Sequence, residues 1–282
     1  MKRKFLKKTK GSLIVASVIL CLYSLSMLMP LYFLLVNSFK QSFEFFDNAW
    51  ALPESVYFEN YALAWELGVG NVSILDMYVN SIIMTVATVL ISTAATTVSA
   101  YVLARFSFRG RGFLVAVGIG AMLIPDLGGS STIYKMFVDL NMIDTWFILI
   151  KNAAPFGLMF LITYSMFRTV SPTYSEAAKM DGASELRIFV AIMLPMARGC
   201  IGMMCVMSAI SCCNDYYTPN MYMPSIKTLA LGLQELSEEA ATYSNYTELY
   251  AAMVLAITPL LILFICMRDT IINNAVAGGL KG

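Results

Sequence analysis

Five ionisable residues, Glu176, Lys179, Asp181, Glu185 and Arg187, fall within twelve positions of EAAKMDGASELRIFVAIMLP, residues 176–195 of a 282-residue chain. These types and spacings suit recognition rather than catalysis. The chain has no histidine, the commonest metal ligand and general base, and no G-x-x-x-x-G-K-[ST] loop to cradle nucleotide phosphates. Its six cysteines, Cys21, Cys200, Cys205, Cys212, Cys213 and Cys266, lack zinc-like spacing, so they read as small apolar packing residues and no metal site is expected. A second set of polar residues, Asp126, Lys151, Asn152, Asn214 and Asp215, interrupts otherwise apolar sequence. Charge in such surroundings is costly, and where it persists it faces a cavity or a partner. These five are candidates for a translocation pathway, with Pro125-Asp126-Leu127-Gly128-Gly129 as a break of the kind that lines transport sites. The alternative puts them in water at outer helix ends or pairs them with each other, for instance Asp126 with Lys151.

The elements that must position these groups lie in a bilayer. Hydrophobic residues make up 59% of the chain and charged ones 13%, outside the range of soluble domains. A hydrocarbon core of ~30 Å takes ~20 apolar residues per helix. Six spans are predicted, Ser12–Val36, Ser81–Val102, Phe113–Tyr134, Trp146–Phe167, Gly199–Tyr216 and Leu249–Met267. Runs such as MTVATVLISTAATTVSAYVLA do not alternate, which excludes barrel strands. The fold class expected is therefore an all-α membrane protein. The apolar run after MKRKFLKKTK is too long for a signal peptide and lacks an A-x-A site, so it is expected to remain as the first helix.

Basic residues favour cytoplasmic loops. With the N-terminus inside, segments 1–11, 103–112, 168–198 and 268–282 collect fifteen of the nineteen lysines and arginines, while most acidic residues fall outside. Both termini and the charged segment are then cytoplasmic. The chain divides into a tail, first helix and outer loop (1–76), a core of spans (77–270) and a cytoplasmic tail (271–282).

The charged segment has its own local signals. Ser171-Pro172 offers a capping hydroxyl and a proline at the first helical position. Tyr174, Ala177, Ala178 and Asp181 then share one face, at i, i+3, i+4 and i+7. Gly182 permits the left-handed conformation that ends a helix. Ser184 can cap a second helix with an apolar face of Leu186, Phe189, Val190 and Met193, and Pro195 bends the chain towards the fifth span. On geometry alone the segment is either an interfacial connector or a docking lever.

The segment closely resembles the EAA motif of permease subunits in binding-protein-dependent ABC importers. Glu176-Ala177-Ala178, Asp181-Gly182-Ala183, Phe189, Ile192 and Leu194-Pro195 stand at that family's spacing. Asn80-Ser81 at the start of the second span, Ala100-Tyr101-Val102-Leu103-Ala104-Arg105-Phe106 at its end, and Gly278-Gly279-Leu280-Lys281-Gly282 are similar to the carbohydrate branch, MalG-type subunits in particular. Cys213-Asn214-Asp215-Tyr216 stands where that branch has Trp-Asn-Asp-Phe, without the tryptophan.

The resemblance implies a multi-pass protein of the bacterial cytoplasmic membrane, surrounded by lipid, that imports a sugar or oligosaccharide and is not itself an enzyme. Its implied partners are a homologous second permease, a cytoplasmic ABC ATPase dimer and an extracytoplasmic solute-binding protein, with no nucleic acid. The resemblance also implies that no cofactor is bound by this chain and that ATP and Mg enter through the ATPase. Glu176, Ala177, Ala178, Asp181, Gly182, Ala183, Phe189, Ile192, Leu194 and Pro195 are implied to form the ATPase-docking coupling helix and its flank between spans four and five, with Glu176 meeting a basic ATPase residue. The loop at 220–245 is implied to face the binding protein. Two alternatives stay open: a permease for another solute such as glycerol phosphate, and a secondary transporter, which would favour an internal repeat that the two halves do not show.

Overall fold

A computed structural model describes residues 2–123, 129–243 and 245–279. Helices are α1 (Lys2–Ser38), α2 (Ser42–Asp47), α3 (Glu59–Glu66), α4 (Ile74–Arg105), α5 (Arg111–Leu123), α6 (Gly129–Asp139), a 3₁₀ segment (Trp146–Ala153), α7 (Leu158–Thr169), α8 (Pro172–Met180), α9 (Glu185–Ile188), a π turn (Phe189–Met193), α10 (Leu194–Cys213), α11 (Tyr217–Tyr222), α12 (Leu229–Tyr243) and α13 (Tyr246–Gly279). A short antiparallel pair, β1 (Gly68–Val69) and β2 (Val72–Ser73), sets Gly68 opposite Ser73.

Among the described residues, four helical runs are long and apolar enough to cross a membrane: Leu13–Ser38, Ile74–Arg105, Glu185–Cys213 and Tyr246–Cys266. The 3₁₀ segment and α7, bent by 47° at their junction, make a fifth candidate. The predicted third span corresponds to α5 and α6, and Pro125, Asp126, Leu127 and Gly128 between them lie outside the described residues, as do Leu280, Lys281 and Gly282.

Two local expectations need correction. The helix after Ser184 is not a separate surface element, because Glu185–Cys213 runs as one 29-residue helix through Pro195. Proline lacks an N–H and its ring collides with the carbonyl four residues back. The wider π turn immediately before it gives the backbone room, so the helix continues. Residues 220–245 are not a loop either, since α11 and α12 occupy most of them.

The chain forms two compact units. One comprises Met1–Ile74 and Leu233–Thr258. Buried Asn60 donates there to the carbonyls of Ser38 and Lys40, at 2.9 and 2.7 Å. Lys40 is 1% exposed and donates to the Asn48 carbonyl at 2.9 Å. Burial lowers the pKa of this ammonium, while the Glu44 carboxylate works in the opposite direction. Phe33 packs against Trp50 and Tyr250, with ring centroids 5.0 and 5.8 Å apart.

The other unit comprises Leu75–Gly232 and Pro259–Gly282. It holds two apolar cores along α4. Met84 joins Phe137, Ile148, Leu149, Tyr222 and Met223. Ala100, Tyr101 and Leu103 join Phe160, Phe167, Val170, Ile188, Met193 and Ala197. Between these cores α4 presents hydroxyls. Asn152 donates to Thr88 Oγ1 at 3.0 Å, and Thr96 donates to the Pro155 carbonyl at 3.3 Å. Pro155 lies in the break between the 3₁₀ segment and α7, where backbone groups have no helical partner. At membrane depth such irregular backbone survives when protein groups satisfy it.

Candidate docking corner and polar cavity

The corner at 171–184 forms as its local signals predict. Ser171 caps α8 by accepting from the Thr173 N–H at 3.3 Å, with Pro172 at the first helical position. At the other end the Ala183 N–H reaches the Ala178 carbonyl at 2.9 Å and the Gly182 N–H reaches Lys179 at 3.0 Å. This paired 6→1 and 5→2 pattern ends a helix when the intervening residue is left-handed, and Gly182 has φ +79°. A side chain at Gly182 would meet nothing within 4 Å, so the demand for glycine is conformational rather than steric. Ser184 then caps α9 through the Arg187 N–H at 3.4 Å.

The corner has two faces. Ala178, Ala183, Phe189 and Ile192 pack on the core built from α4, α7 and α10. Phe189 lies against Tyr101, with centroids 4.6 Å apart. Glu176, Ala177, Asp181, Gly182 and Pro195 are exposed, and Leu194 is half-buried. Met180 is 89% exposed at the tip. Ala177 and Ala178, placed on one face by periodicity, therefore divide between solvent and core. On α9 and the π turn the packed residues are Ile188, Phe189, Ile192 and Met193, whereas Leu186 and Val190, expected on the apolar face, are exposed. Lys179 and Glu185 form an exposed ion pair across the corner at 2.5 Å, and this hydrogen-bonded carboxylate raises the lysine pKa.

A cavity of about 520 Å³ lies beside α4. Its polar lining is Thr88 and Ser92 from α4, Lys151 and Asn152 from the 3₁₀ segment, Ser208 and Ser211 from α10, and Asp215 and Thr218 beyond it. Met84, Met159 and Met207 supply apolar wall. The Lys151 ammonium donates to Thr218 Oγ1 at 2.9 Å and stands 5.3 Å from the centre of the Tyr222 ring. Asp215 Oδ1 accepts the Thr218 N–H at 2.9 Å, so one threonine links the cation to the carboxylate. Of the five polar residues singled out in the sequence, Lys151, Asn152 and Asp215 meet here. Asn214 does not: it is exposed and donates back to the Ile210 carbonyl at 2.8 Å. Asp126 lies outside the described residues.

Residues 5–274 match the family described as the binding-protein-dependent transport system inner membrane component. The chain belongs to that family. This permease is 28% identical over 274 residues to the melibiose/raffinose/stachyose import permease protein MelC of Bacillus subtilis (strain 168), covering 95% of each chain. It is 28% identical over 271 residues to the diacetylchitobiose uptake system permease protein NgcG of Streptomyces coelicolor, covering 94% of this chain and 87% of that one. Among solved structures it superposes on a chain of a bacterial ABC transporter involved in import of the acidic polysaccharide alginate, with TM-score 0.77, 22% identity and coverage of 91% and 95%. That likeness shows a common fold.

The cavity wall also includes residues that carried no charge signal. The hydroxyls Thr88 and Ser92 sit four apart on α4, and Ser208 and Ser211 three apart on α10, the spacings that keep side chains on one helix face. That periodicity within apolar spans was the available clue. Cysteines within the bundle also approach threonine hydroxyls: Cys213 and Thr85 at 3.5 Å, Cys205 and Thr93 at 3.7 Å, and Cys200 and Thr163 at 3.3 Å. Such weak polar contacts tie helices together where no hydrophobic force distinguishes neighbour from lipid.

Proposed function

We infer that this chain is one membrane subunit of an ATP-driven importer for a sugar or oligosaccharide, pairing with a second permease and receiving its cargo from an extracytoplasmic binding protein. Six spans leave both termini and the 171–184 corner in the cytoplasm, with α5 and α6 together as the third. The corner seats on a cytoplasmic ATPase, and the Lys151–Asp215 cavity forms this subunit's share of the solute path. ATP and Mg are bound by the ATPase.

The observation that carries the docking assignment is the division of the corner into two faces. Ala178 and Ala183 hold it to the bundle, while Glu176, Ala177, Met180 and Asp181 stand free around a left-handed glycine. An exposed apolar tip flanked by carboxylates suits a protein partner. Carbohydrate cargo is supported by the named substrates of MelC and NgcG and by a cavity whose wall carries five hydroxyl side chains, an amide, a lysine and an aspartate.

The test compares two adjacent alanines in the complete importer. Ala177→Trp adds bulk on the free face and should leave the permease as stable as wild type while the ATPase no longer co-purifies and ATP-dependent oligosaccharide uptake is lost. Ala178→Trp points into the core and should lower the stability of the permease itself by about 1–3 kcal/mol. ATPase retention and normal uptake in Ala177→Trp would make the corner an interfacial connector. Uptake that survives without the ATPase and collapses with the ion gradient would make the chain a secondary transporter.

A further inference from the structure

Arg105, the last residue of α4, reaches both legs of the corner. Its Nη1 donates to the Val170 carbonyl at 2.9 Å. Its Nη2 lies 3.3 Å from both the Ser171 carbonyl and Ser175 Oγ, and 3.9 Å from Met193 Sδ. Val170 stands where α7 has ended and α8 has not begun, so its carbonyl needs a donor from elsewhere, while the Ser171 carbonyl also accepts the Tyr174 N–H at 3.4 Å. Met193 closes the π turn on the way into the fifth span. One helical turn back on α4, Tyr101 packs on Phe167 from the incoming leg and Phe189 from the outgoing one, at 5.5 and 4.6 Å. Arginine suits this position for two reasons. Its planar, permanently charged fork serves several acceptors at once, which a lysine ammonium cannot span, and a cation is favoured at the C-terminus of α4.

We propose that Arg105 is a positioning residue that locks the corner to α4, so that displacement of the corner by a partner moves α4 rather than being absorbed in the loop. The same helix carries Thr88 and Ser92 into the polar cavity. Thirteen residues of rigid helix separate Arg105 from Ser92, about 20 Å at 1.5 Å per residue. The clamp thus connects the corner to the wall of the solute path through one continuous element. Its role in transport presupposes that the corner docks on the ATPase; the clamp itself is a property of this chain.

The experiment uses the assembled importer, with Arg105→Ala, Arg105→Lys and wild type compared at matched amounts. Solute moved per ATP hydrolysed is measured in vesicles. The distance between spin labels at Val102 and Tyr174, both exposed, is measured with and without ATP. The ATPase should co-purify with all three forms. Uptake per ATP should fall at least tenfold in Arg105→Ala and by an intermediate factor in Arg105→Lys, and the narrow label distribution of wild type should broaden in the same order. A permanently stapled but uninvolved arginine would lower yield without changing uptake per ATP, and that result overturns the proposal. If the wild-type corner does not bind an ATPase, the docking assignment fails, while the label distance in the permease alone still decides whether Arg105 holds the corner. Should Arg105→Ala fail to accumulate, Arg105→Lys with Ser175→Ala carries the test. Wild-type values in both then sink the clamp.

Discussion

At its Asn80 end, α4 holds the neighbouring chain through short neutral side chains: Asn80 Nδ2 donates to the Lys227 carbonyl at 3.0 Å and Ser81 Oγ accepts the Leu229 N–H at 2.7 Å. Asp144 adds a third tie to the same stretch, accepting the Ser225 N–H at 2.9 Å. At its Arg105 end the helix holds its neighbour through one long cation spread over acceptors on two separate segments. Short side chains reach only adjacent backbone and leave little play. The arginine fork spans a gap and keeps its charge, so it can hold two legs that must move as one. Neutral hydrogen bonds contribute about 0.5–1.5 kcal/mol each and those to charged groups about 1.5–3. The two ends therefore differ in strength as well as reach, with the polar cavity between them.

The largest effect is expected at that cavity. Lys151→Met removes the charge-assisted bond to Thr218 and the nearby cation from Asp215, and Asp215→Asn removes the opposite charge near Lys151; each should cost about 1.5–3 kcal/mol, whereas the double replacement should cost less than the two singles together. Thermal unfolding of the purified permease would show this, and a double variant that costs the full sum of the singles would mean that water already screens both groups. Next is the corner. Gly182→Val forces a β-branched residue to φ +79°, costing about 1–3 kcal/mol locally. Membrane insertion should be unchanged and uptake abolished. Gly182→Asn, which tolerates the left-handed region, should retain most uptake because nothing crowds the position. Equal activity of both variants would remove the conformational requirement.

Smaller effects should appear at the Asn80 end. Asn80→Ala and Ser81→Ala should each lower stability by about 1 kcal/mol and leave uptake per ATP unchanged, since these ties anchor rather than transmit. A loss of coupling there as deep as that of Arg105→Ala would erase the distinction between the two ends. The smallest change is expected at Lys179, whose partner Glu185 is also exposed. Exposed pairs contribute little, so Lys179→Met should leave the unfolding temperature unchanged while Gly182 keeps the corner shaped. A clear drop would show that the ion pair, rather than the glycine, holds the turn.

Much of the corner was legible because its signals are local. Ser171, Pro172, Gly182 and Ser184 act on backbone within four or five residues of themselves, and each does in the fold what its position predicts. The long apolar runs were equally plain. Less legible was the continuity of the Glu185–Cys213 helix through Pro195, since a proline normally kinks or ends a helix and only the π turn before it makes room. The cavity was half visible: Lys151, Asn152 and Asp215 stood out by charge or polarity, whereas Thr88, Ser92, Ser208 and Ser211 blend into spans where serine and threonine are ordinary.

By itself the sequence determined the solvent in which the chain folds, its helical character and the shape of the corner, because composition, hydrophobic run length and capping depend on neighbours along the chain. Only the tertiary structure decided that Ala178 turns inward while Ala177 stays free, that Arg105 reaches Val170 and Met193, and that Lys151 meets Thr218. These contacts join residues 65 to 88 positions apart at Arg105 and 67 apart at Lys151. They depend on how each helix is rotated against the next, which packing of whole faces sets and no local run of residues encodes.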